Sequence, residues 1–429
     1  MIEVCTVNGV NEVGRNMFAV KVDNVAVIFD MGLQMEHYIR ITEDDDIDFV
    51  DPEILKAGKA IPETKPLKKW KKQIKGIFIS HAHLDHIGAV EFLAEEFNCP
   101  IYGTNFTMAV LKKILQDHRI KLKNKIISVK PNTEIDFQGM KVEFINVTHS
   151  TPQTAIIALK TKYGDIVYAN DFKLDPKPLL GEPTNIKALK KLNVKLLLED
   201  SLYSHQPGRT GREADVKKEL EELFHELKKE KGKILITTFS SHIERLTTII
   251  KAAKILGREP LILGRSLLKY CEAAEEVKVH DFKNIERVKY GSQIRRKIFN
   301  LKNPEKYLFI TTGHQGEENA TLSKLVNKYG YLKKDDIVIF SCRVIPTKTT
   351  KEARRKLEQT MKEKKIRIYK DIHVSGHAYS EDIKDFLNYT KPEFVIPVHS
   401  EMDRMKKFAK LTNSKTKVLL MNPGQFKTI

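Results

Sequence analysis

The 429 residues predict two domains, or one domain interrupted by another, and a composition of 41% hydrophobic and 30% charged residues excludes wholesale disorder. No apolar run approaches the roughly 18 residues of a membrane helix, and the first residues lack the basic and apolar parts of a secretion signal. The 74 Lys and Arg residues outnumber the 56 Asp and Glu residues, and the net charge of +18 favours an anionic partner such as a nucleic acid backbone.

The cysteines are far apart in the sequence and form no CxxC pair; they are Cys5, Cys99, Cys271 and Cys342. This spacing argues against a disulfide framework and against a zinc site built from thiolates. Reduced cysteines are typical of the cytosol, so we expect a cytoplasmic protein.

Short apolar runs in the sequence lead directly into polar residues. The runs at 25–29, 76–80, 142–148, 165–170 and 393–398 precede Asp30, His81, His149, Asp171 and His399. Each run has the length and the β-branched content of a buried strand. Because ligand-type residues follow five strands, we expect a site assembled at one edge of stacked sheets.

Between Asp30 and Gly76, an acidic cluster at 43–51 precedes a lysine-rich stretch at 65–75 that contains Trp70. We interpret this segment as a solvated surface excursion in preference to a flap that contacts substrate.

From 185 to 360 the pattern changes to alternating strands and amphipathic helices, which predicts a parallel α/β unit. Because a strand that leads into a histidine returns at 393, this unit is predicted to be inserted into the first domain. The predicted limits are 185–360 for the inserted domain and 1–184 and 361–429 for the two parts of the first.

The segment HAHLDH (81–86) places His81, His83, Asp85 and His86 within six residues. Two histidines two positions apart after a strand can bind one metal ion, while the Asp-His pair that follows turns toward a second. Neutral imidazoles with carboxylates suit Zn²⁺, and two such ions can clamp the attacking and leaving oxygens of phosphoryl transfer. Asp171 is our candidate for the bridging carboxylate. Taken singly, His149, Asp171 and His399 have structural interpretations as well.

The order Asp30, HxHxDH, a single His and a single Asp at wide spacing resembles the metallo-β-lactamase superfamily over roughly the first 180 residues. The resemblance implies an α/β fold, a four-layer αββα sandwich with metal ions at one sheet edge. It implies one zinc ion on His81, His83 and His149. A second zinc ion would bind Asp85, His86 and His399, with Asp171 shared and Asp30 orienting the ligands.

The inserted segment resembles the β-CASP domain of nucleic-acid-cutting members of that superfamily. Its acidic motif matches Asp200 in LLLEDSLY, although the adjacent Glu199 leaves the register open by one residue. The next motif matches His377 in HVSGHA, and the last matches His399 in IPVHSE. A histidine in the last motif is typical of the RNA-processing branch, so the resemblance favours RNA over DNA.

Among RNA processors, the chain resembles the ribonuclease J family of the shorter, archaeal type over nearly its whole length. The segments VNGVNEVGRNMF (7–18) and TTFSSHIERL (237–246) carry this resemblance. It implies a 5′-to-3′ exoribonuclease that acts processively from 5′-monophosphate ends in RNA processing and decay, with endonuclease activity in some members. It also implies two Zn²⁺ ions per chain, with Mn²⁺ as an alternative. The bacterial C-terminal domain is expected to be absent.

The expected partner is single-stranded RNA in a basic channel between the domains, with no membrane contact and with a homodimer as a candidate assembly. In the predicted reaction, water attacks phosphorus in line and leaves a 5′-phosphate and a 3′-hydroxyl. Asp85 would orient the water, and His377, held by Asp200, would protonate the leaving oxygen or bind the phosphate. A purely structural role is the alternative for His377.

Substrate contacts are expected from the turn Ser375-Gly376-His377-Ala378, whose backbone N–H groups can face a phosphate, with His373 beside it. Arg265 and Ser240 are candidate donors for the terminal phosphate, although Arg265 also suits an ion pair that stabilises the fold.

Three alternative functions remain: an endoribonuclease of the polyadenylation-factor type, a non-catalytic RNA-binding β-CASP subunit, and a small-molecule hydrolase such as a lactamase. The complete ligand set counts against the second. The inserted domain and the charge of +18 count against the third.

Overall fold

A computed structural model describes residues 1–42, 51–345 and 348–429. The predicted acidic cluster at 43–51 lies outside these residues except for Asp51. Contacts within the chain divide it into two compact units. The first unit comprises Met1–Thr210 and Ser375–Ile429, and the second comprises Gly211–Val374.

The predicted limits at 185 and 360 differ from these boundaries for a reason that lies in strand pairing. The strand Val194–Asp200 pairs with Gly164–Ala169 and with Phe394–Val398, so it belongs to the first unit. The strand Arg367–Tyr369 pairs with Ile337–Phe340 and therefore belongs to the second unit. The change in sequence pattern marked the first appearance of strand–helix alternation and not the end of the first unit's sheet.

The first unit contains two seven-stranded sheets. One has the order β20-β1-β2-β3-β4-β5-β6 and the other has the order β19-β18-β11-β10-β9-β8-β7. The strands of the first sheet are β1 (Ile2–Asn8), β2 (Met17–Val22), β3 (Val25–Phe29), β4 (Ile74–Ile79), β5 (Ile101–Thr104), β6 (Ile126–Val129) and β20 (Gln425–Thr428). Those of the second are β7 (Thr133–Phe137), β8 (Met140–Asn146), β9 (Ala155–Thr161), β10 (Gly164–Ala169), β11 (Val194–Asp200), β18 (Phe394–Val398) and β19 (Lys417–Val418).

Apolar side chains from both sheets form a common core, in which Phe29 and Phe78 of one sheet lie with Tyr168 and Leu198 of the other. The opposite face of the second sheet is covered by helices that bury residues such as Phe386. The helices of this unit are α1 (Met35–Thr42), α2 (Pro52–Ala57), α3 (Leu84–Ile87), α4 (Val90–Leu93), α5 (Asn105–Asp117), α6 (Ile186–Leu189), α13 (Ser380–Thr390) and α14 (Met402–Ala409). With α5 packed on β5 and β6, the layers follow the predicted αββα order.

The five strands predicted ahead of ligand-type residues are confirmed as β3, β4, β8, β10 and β18. β3, β4, β10 and β18 are buried along most of their length, which explains why their sequences are continuous apolar runs, whereas β8 alternates at its start, where Lys141 is exposed. The four cysteines are buried and unpaired, as their spacing predicted.

The segment before β4 is only partly the solvated excursion that its charge suggested. Leu55 of α2 and Leu67 of the 3₁₀ helix Lys65–Trp70 are completely buried. Trp70 packs edge-on against Phe426, with ring centroids 4.9 Å apart. The lysines of this stretch are exposed, while Leu67, Trp70 and Ile74, three or four positions apart, are buried.

The second unit contains one six-stranded parallel sheet with the order β14-β13-β15-β12-β16-β17, which confirms the predicted α/β architecture. Its strands are β12 (Ile234–Thr237), β13 (Glu259–Leu263), β14 (Glu286–Val288), β15 (Tyr307–Thr311), β16 (Ile337–Phe340) and β17 (Arg367–Tyr369). Its helices are α7 (Glu213–Glu226), α8 (Ile243–Leu256), α9 (Arg265–Glu276), α10 (Gly291–Phe299), α11 (Thr321–Ser323) and α12 (Lys348–Glu363). Among the described residues, no helix combines the length and apolar character that a membrane crossing requires.

A buried ion pair joins α7 to α8 in the second unit. The Arg245 guanidinium donates to both carboxylate oxygens of Glu213 at 2.8 Å, and its remaining nitrogen donates to the carbonyls of Ser341 and Ile372. Arg245 is fully buried, so its charge depends on these partners for compensation.

Replacing Arg245 by Met should therefore reduce the free energy of unfolding by about 3–5 kcal/mol, since it removes the cation that compensates the charge of the buried Glu213 carboxylate. Urea denaturation followed by circular dichroism measures the loss. Lys218→Met is the control, because Lys218 pairs with Glu222 on the exposed face of α7 and its loss should cost less than about 1 kcal/mol. Equal losses in the two variants would contradict the assignment.

Candidate metal centre

The seven side chains predicted as ligands lie together with the orienting residue Asp30 where strands of the first unit end. Asp30 follows β3, Asp171 follows β10 by two residues, and His399 follows β18 directly. All three have left-handed backbone conformations, with φ of 58°, 51° and 60°. Such conformations are uncommon for residues other than glycine and concentrate at functional sites. Here they turn the chain sharply at the strand end.

The first ligand group consists of three imidazole nitrogens around one carboxylate oxygen. His83 Nδ1 lies 3.0 Å from His81 Nε2 and 3.1 Å from His149 Nε2. Asp171 Oδ2 lies 3.4 Å from His81 Nε2 and 3.6 Å from His149 Nε2. Four donor atoms that converge in this way suit one tetrahedral ion such as Zn²⁺.

The second group uses the other oxygen of the same carboxylate. Asp171 Oδ1 lies 3.2 Å from His86 Nε2 and 3.7 Å from His399 Nε2. Asp85 Oδ2 completes the group, at 3.7 Å from His86 Nε2 and 3.8 Å from His399 Nε2. Asp171 is buried, and its Oδ1 accepts no hydrogen bond from the described residues. An orphaned carboxylate oxygen among imidazole nitrogens fits a metal ion, because a cation would supply the missing partner.

In three of the histidine rings, the Nδ1 atom that points away from the centre forms a hydrogen bond with another group. His149 Nδ1 donates to the Gly376 carbonyl at 2.7 Å, and His86 Nδ1 donates to Asp30 Oδ2 at 2.6 Å. His81 Nδ1 contacts Ser80 Oγ at 2.9 Å, and that hydroxyl donates to Asp30. In this tautomer the His81 and His149 rings direct an unprotonated Nε2 toward the centre, which is the form that binds metal, and His86 directs its Nε2 the same way.

Asp30 is the hydrogen-bond acceptor that organises these rings. Its Oδ1 accepts from the Ser80 backbone N–H, and its Oδ2 accepts from the Ser80 hydroxyl, the Tyr168 hydroxyl and His86 Nδ1, all at 2.6–2.7 Å. Asp30 itself is completely buried. The predicted orienting role of Asp30 therefore has a geometric basis.

The charges at the site favour metal binding. Burial, together with the neighbouring His86, lowers the pKa of His81 to about 3, and burial also lowers the pKa of His149 well below its ordinary value. Both rings are therefore neutral at physiological pH. Burial acts to lower the pKa of His86 too, but the carboxylates of Asp171, Asp85 and Asp30 raise it well above the ordinary range. This excess of negative charge around one ring is the environment that a divalent cation neutralises.

A third group lies beside the two ligand groups. His377 Nδ1 contacts Asp200 Oδ2 at 2.7 Å, and its Nε2 lies 3.7 Å from Asp171 Oδ2. The His377 ring stacks on His399 with a centroid distance of 5.4 Å. The open register is resolved in favour of Asp200 as the partner of His377, because both carboxylate oxygens of the buried Glu199 accept no hydrogen bond from the described residues.

The predicted substrate-binding turn is only partly exposed to the centre. The Ser375 hydroxyl accepts from the His377 backbone N–H, and the Gly376 carbonyl binds His149. A Cβ atom at Gly376 would lie 2.8 Å from the His149 ring, so this close approach requires glycine. Ala378 packs into the core with Phe386, and its side chain is therefore not a substrate contact.

The remaining predicted contacts belong to the second unit. His373 is close to Phe239, with ring centroids 6.4 Å apart, and Ser240 follows that phenylalanine. Arg265 begins α9 and lines a separate surface cavity that Ser240 does not line. The structure therefore does not bring Arg265 and Ser240 together in one pocket. The alternative of a stabilising ion pair for Arg265 also fails, since Arg265 pairs with no described residue.

Sequence reasoning missed three residues that support the ligands. Asn16 contacts His399 Nδ1 at 2.9 Å and donates to the Asp85 carbonyl, while Ser80 and Tyr168 bind Asp30. Ser80 could have been found from its place between β4 and His81. Asn16 lies in the opening segment that carries the family resemblance, whereas no local pattern distinguishes Tyr168.

Comparisons with known proteins agree with this arrangement. Three family models match the chain: the beta-lactamase superfamily domain at 49–189, the ribonuclease J beta-CASP domain at 231–358, and the Zn-dependent metallo-hydrolase RNA specificity domain at 361–421. The chain is 38% identical to ribonuclease J of Methanocaldococcus jannaschii over 96% of this chain and 94% of the relative. Identity to ribonuclease J of Pyrococcus abyssi is 34%, over 96% and 92%. The chain belongs to the ribonuclease J family.

A crystal structure of a protein of unknown function from Enterococcus faecalis V583 has the same fold. Its TM-score is 0.69 with 18% sequence identity, and the match covers both chains completely. The identity is too low to carry an argument about activity, so this similarity concerns the fold alone.

Because Asp171 contributes to both ligand groups, substitutions of different ligands should have different effects on metal content. Asp171→Ala should release both ions, whereas His83→Ala should weaken the first site and His399→Ala the second. Metal content after dialysis, measured by inductively coupled plasma mass spectrometry, distinguishes these outcomes. His118→Ala is the control, since His118 pairs with Glu91 away from the cluster and should keep both ions. An Asp171→Ala variant that retained two ions would contradict the bridging assignment.

Proposed function

We propose that this chain is a zinc-dependent ribonuclease that degrades single-stranded RNA processively in the 5′-to-3′ direction from a 5′-monophosphate end. The observation that carries the proposal is the pair of ligand groups sharing Asp171, with the His377–Asp200 pair directly beside them. Relatives that align with nearly the whole chain bear the name ribonuclease J, which supports RNA as the substrate.

The donor set suits two zinc ions, one on His81, His83 and His149 and one on Asp85, His86 and His399, with Asp171 between them. When bound, such ions supply Lewis-acid stabilisation of phosphate charge and make water acidic enough to react near neutral pH. Manganese is an alternative, because carboxylate and imidazole donors also suit that ion.

His377 is placed to act on the leaving oxygen. Burial would lower its pKa, but the carboxylates of Asp171 and Asp200 outweigh that effect and raise the pKa to about 9. Asp200 fixes the orientation of the ring through Nδ1. The other nitrogen, Nε2, faces the cluster and can donate a proton to the oxygen that departs from phosphorus.

Asp85 is the ligand carboxylate with access to solvent, with a side chain 23% exposed while Asp171 is 1% exposed. It can accept a hydrogen bond from the attacking water and orient it toward phosphorus. The water forms a new bond to phosphorus and gives up one proton to solvent, the bond from phosphorus to the 3′ oxygen breaks, and that oxygen takes a proton from His377 Nε2.

Cleavage of the bond between phosphorus and the 3′ oxygen allows the reaction to repeat on the same RNA. Hydrolysis at the 3′ oxygen leaves the phosphate on the next nucleotide, so the shortened RNA again begins with a 5′-monophosphate. Each product is therefore a substrate for the following cycle.

An RNA with a labelled 5′ nucleotide tests the direction of cleavage. We expect labelled mononucleotide as the first product from the 5′-monophosphate form, slower release from the triphosphate and hydroxyl forms, and none with chelator. Discrete internal fragments would instead show the endonuclease alternative. Metal-loaded protein that binds RNA but never cleaves it would support a non-catalytic role and overturn the proposal.

His377→Ala and Asp200→Asn test the proton-donor assignment. The first should lower the cleavage rate by about 10²- to 10⁴-fold, because a positioned proton donor contributes that much, and the second should lower it less. Metal content should stay at the wild-type level in both, which separates proton transfer from metal binding. A His377→Ala variant that cleaves at the wild-type rate would exclude the role, and one that loses metal would show it to be a ligand.

A further inference from the structure

The second unit has a surface cavity of about 280 Å³ between the starts of α9 and α10. Three cationic side chains line it, those of Arg265, Lys289 and Lys324, and none of its described lining residues is acidic. Arg265 and Lys324 form no ion pair with the described residues. Like charges gathered around one cavity repel one another, so a bound anion would lower the energy of this arrangement.

The backbone around the cavity suits the same ligand. Neither α9 nor α10 has a side-chain cap at its first turn, so their free N–H groups and positive ends remain available. Gly264 precedes α9 with φ of 121°, and a Cβ there would lie 3.2 Å from the Thr321 hydroxyl. Glycine therefore keeps this rim of the cavity open.

Aromatic rings share the cavity with the cations. Tyr290 is 50% exposed although it is a large ring, and the half-buried Tyr329 also lines the cavity, with its hydroxyl near Gly291 at the start of α10. The Arg295 guanidinium lies 5.8 Å from the Tyr329 ring centroid, which helps to hold that ring. An exposed aromatic ring next to cations, as at Tyr290, is the combination that binds bases and phosphates of single-stranded nucleic acids.

We infer that this cavity binds one nucleotide unit of single-stranded RNA, with the phosphate at Arg265, Lys289 and Lys324 and the base on Tyr290. The inference rests on the proposed function for its substrate, and it adds a subsite built entirely within the second unit. The volume lies just below the range of about 300–1,000 Å³ for small-molecule pockets, which suits a single nucleotide and is too small for a duplex.

Lys324→Ala and Tyr290→Ala test the subsite in the full chain. The affinity for a short RNA labelled at its 3′ end is measured by fluorescence anisotropy, with chelator present to prevent cleavage. Tyr290→Ala should weaken binding by about 5- to 150-fold through lost stacking. Lys324→Ala should weaken binding and reduce the salt dependence by roughly 0.7 in the slope of log K against log salt.

Lys328→Ala is the matched control, because Lys328 is an exposed lysine of the same short helical segment and does not line the cavity. It should bind RNA as the wild type does. Equal losses in Lys324→Ala and Lys328→Ala would show that only overall surface charge matters and would overturn the subsite. Wild-type affinity in both Lys324→Ala and Tyr290→Ala would overturn it as well.

Competition with small molecules identifies the ligand chemistry. Adenosine monophosphate should displace the labelled RNA at lower concentration than either inorganic phosphate or adenosine, and Tyr290→Ala should remove that advantage. Inorganic phosphate that competes equally well would overturn the role of the base. Because binding is measured without cleavage, loss of this subsite is distinguishable from failure of the proposed function. If only the proposed function fails, RNA binding still depends on Tyr290 and Lys324, but the protein does not cleave RNA after metal is added back.

Discussion

The Asp30 carboxylate is the interaction on which the geometry of the site depends. It accepts hydrogen bonds from Ser80, which follows a strand of the first sheet, and from Tyr168 in a strand of the second. It therefore joins the two sheets at the edge where the ligands lie. Through His86 directly, and through Ser80 to His81, the same carboxylate fixes the orientation of one ring in each ligand group. Loss of this acceptor would leave buried donors unpaired in both sheets.

A second constraint is the concentration of charge and strain at one edge. The carboxylates of Asp30, Asp85 and Asp171 approach the same buried histidine, which is unfavourable unless cations compensate them. The left-handed conformations at Asp30, Asp171 and His399 each cost on the order of 1–3 kcal/mol. The fold tolerates these costs because the apolar core between the two sheets is fully buried. The free energy that stabilises the fold therefore comes from parts of the unit away from the site. Metal binding would offset part of the electrostatic cost of the site.

Much of this site was predictable from local sequence, and the limit of prediction follows from sequence separation. HAHLDH gathers four candidate ligands within six residues, and apolar runs placed His149, Asp171 and His399 at strand ends. Asn16 reaches His399 across 383 positions and Tyr168 reaches Asp30 across 138, so no local spacing reveals either contact. The compact second unit begins later than the predicted limit because β11 has the composition of an α/β strand but pairs with β10 and β18. Pairing is a tertiary property that composition does not encode.

The same reasoning explains why one predicted pocket separates into two places. Arg265 follows β13 and Ser240 lies just beyond β12, and β15 lies between those strands in the sheet. Because neighbouring strands are about 4.8 Å apart, the ends of β12 and β13 are separated by roughly 10 Å. Ser240 does not line the cavity at Arg265, so the two residues hold separate positions along the same edge of the sheet. The parallel sheet therefore presents its polar connections as a row.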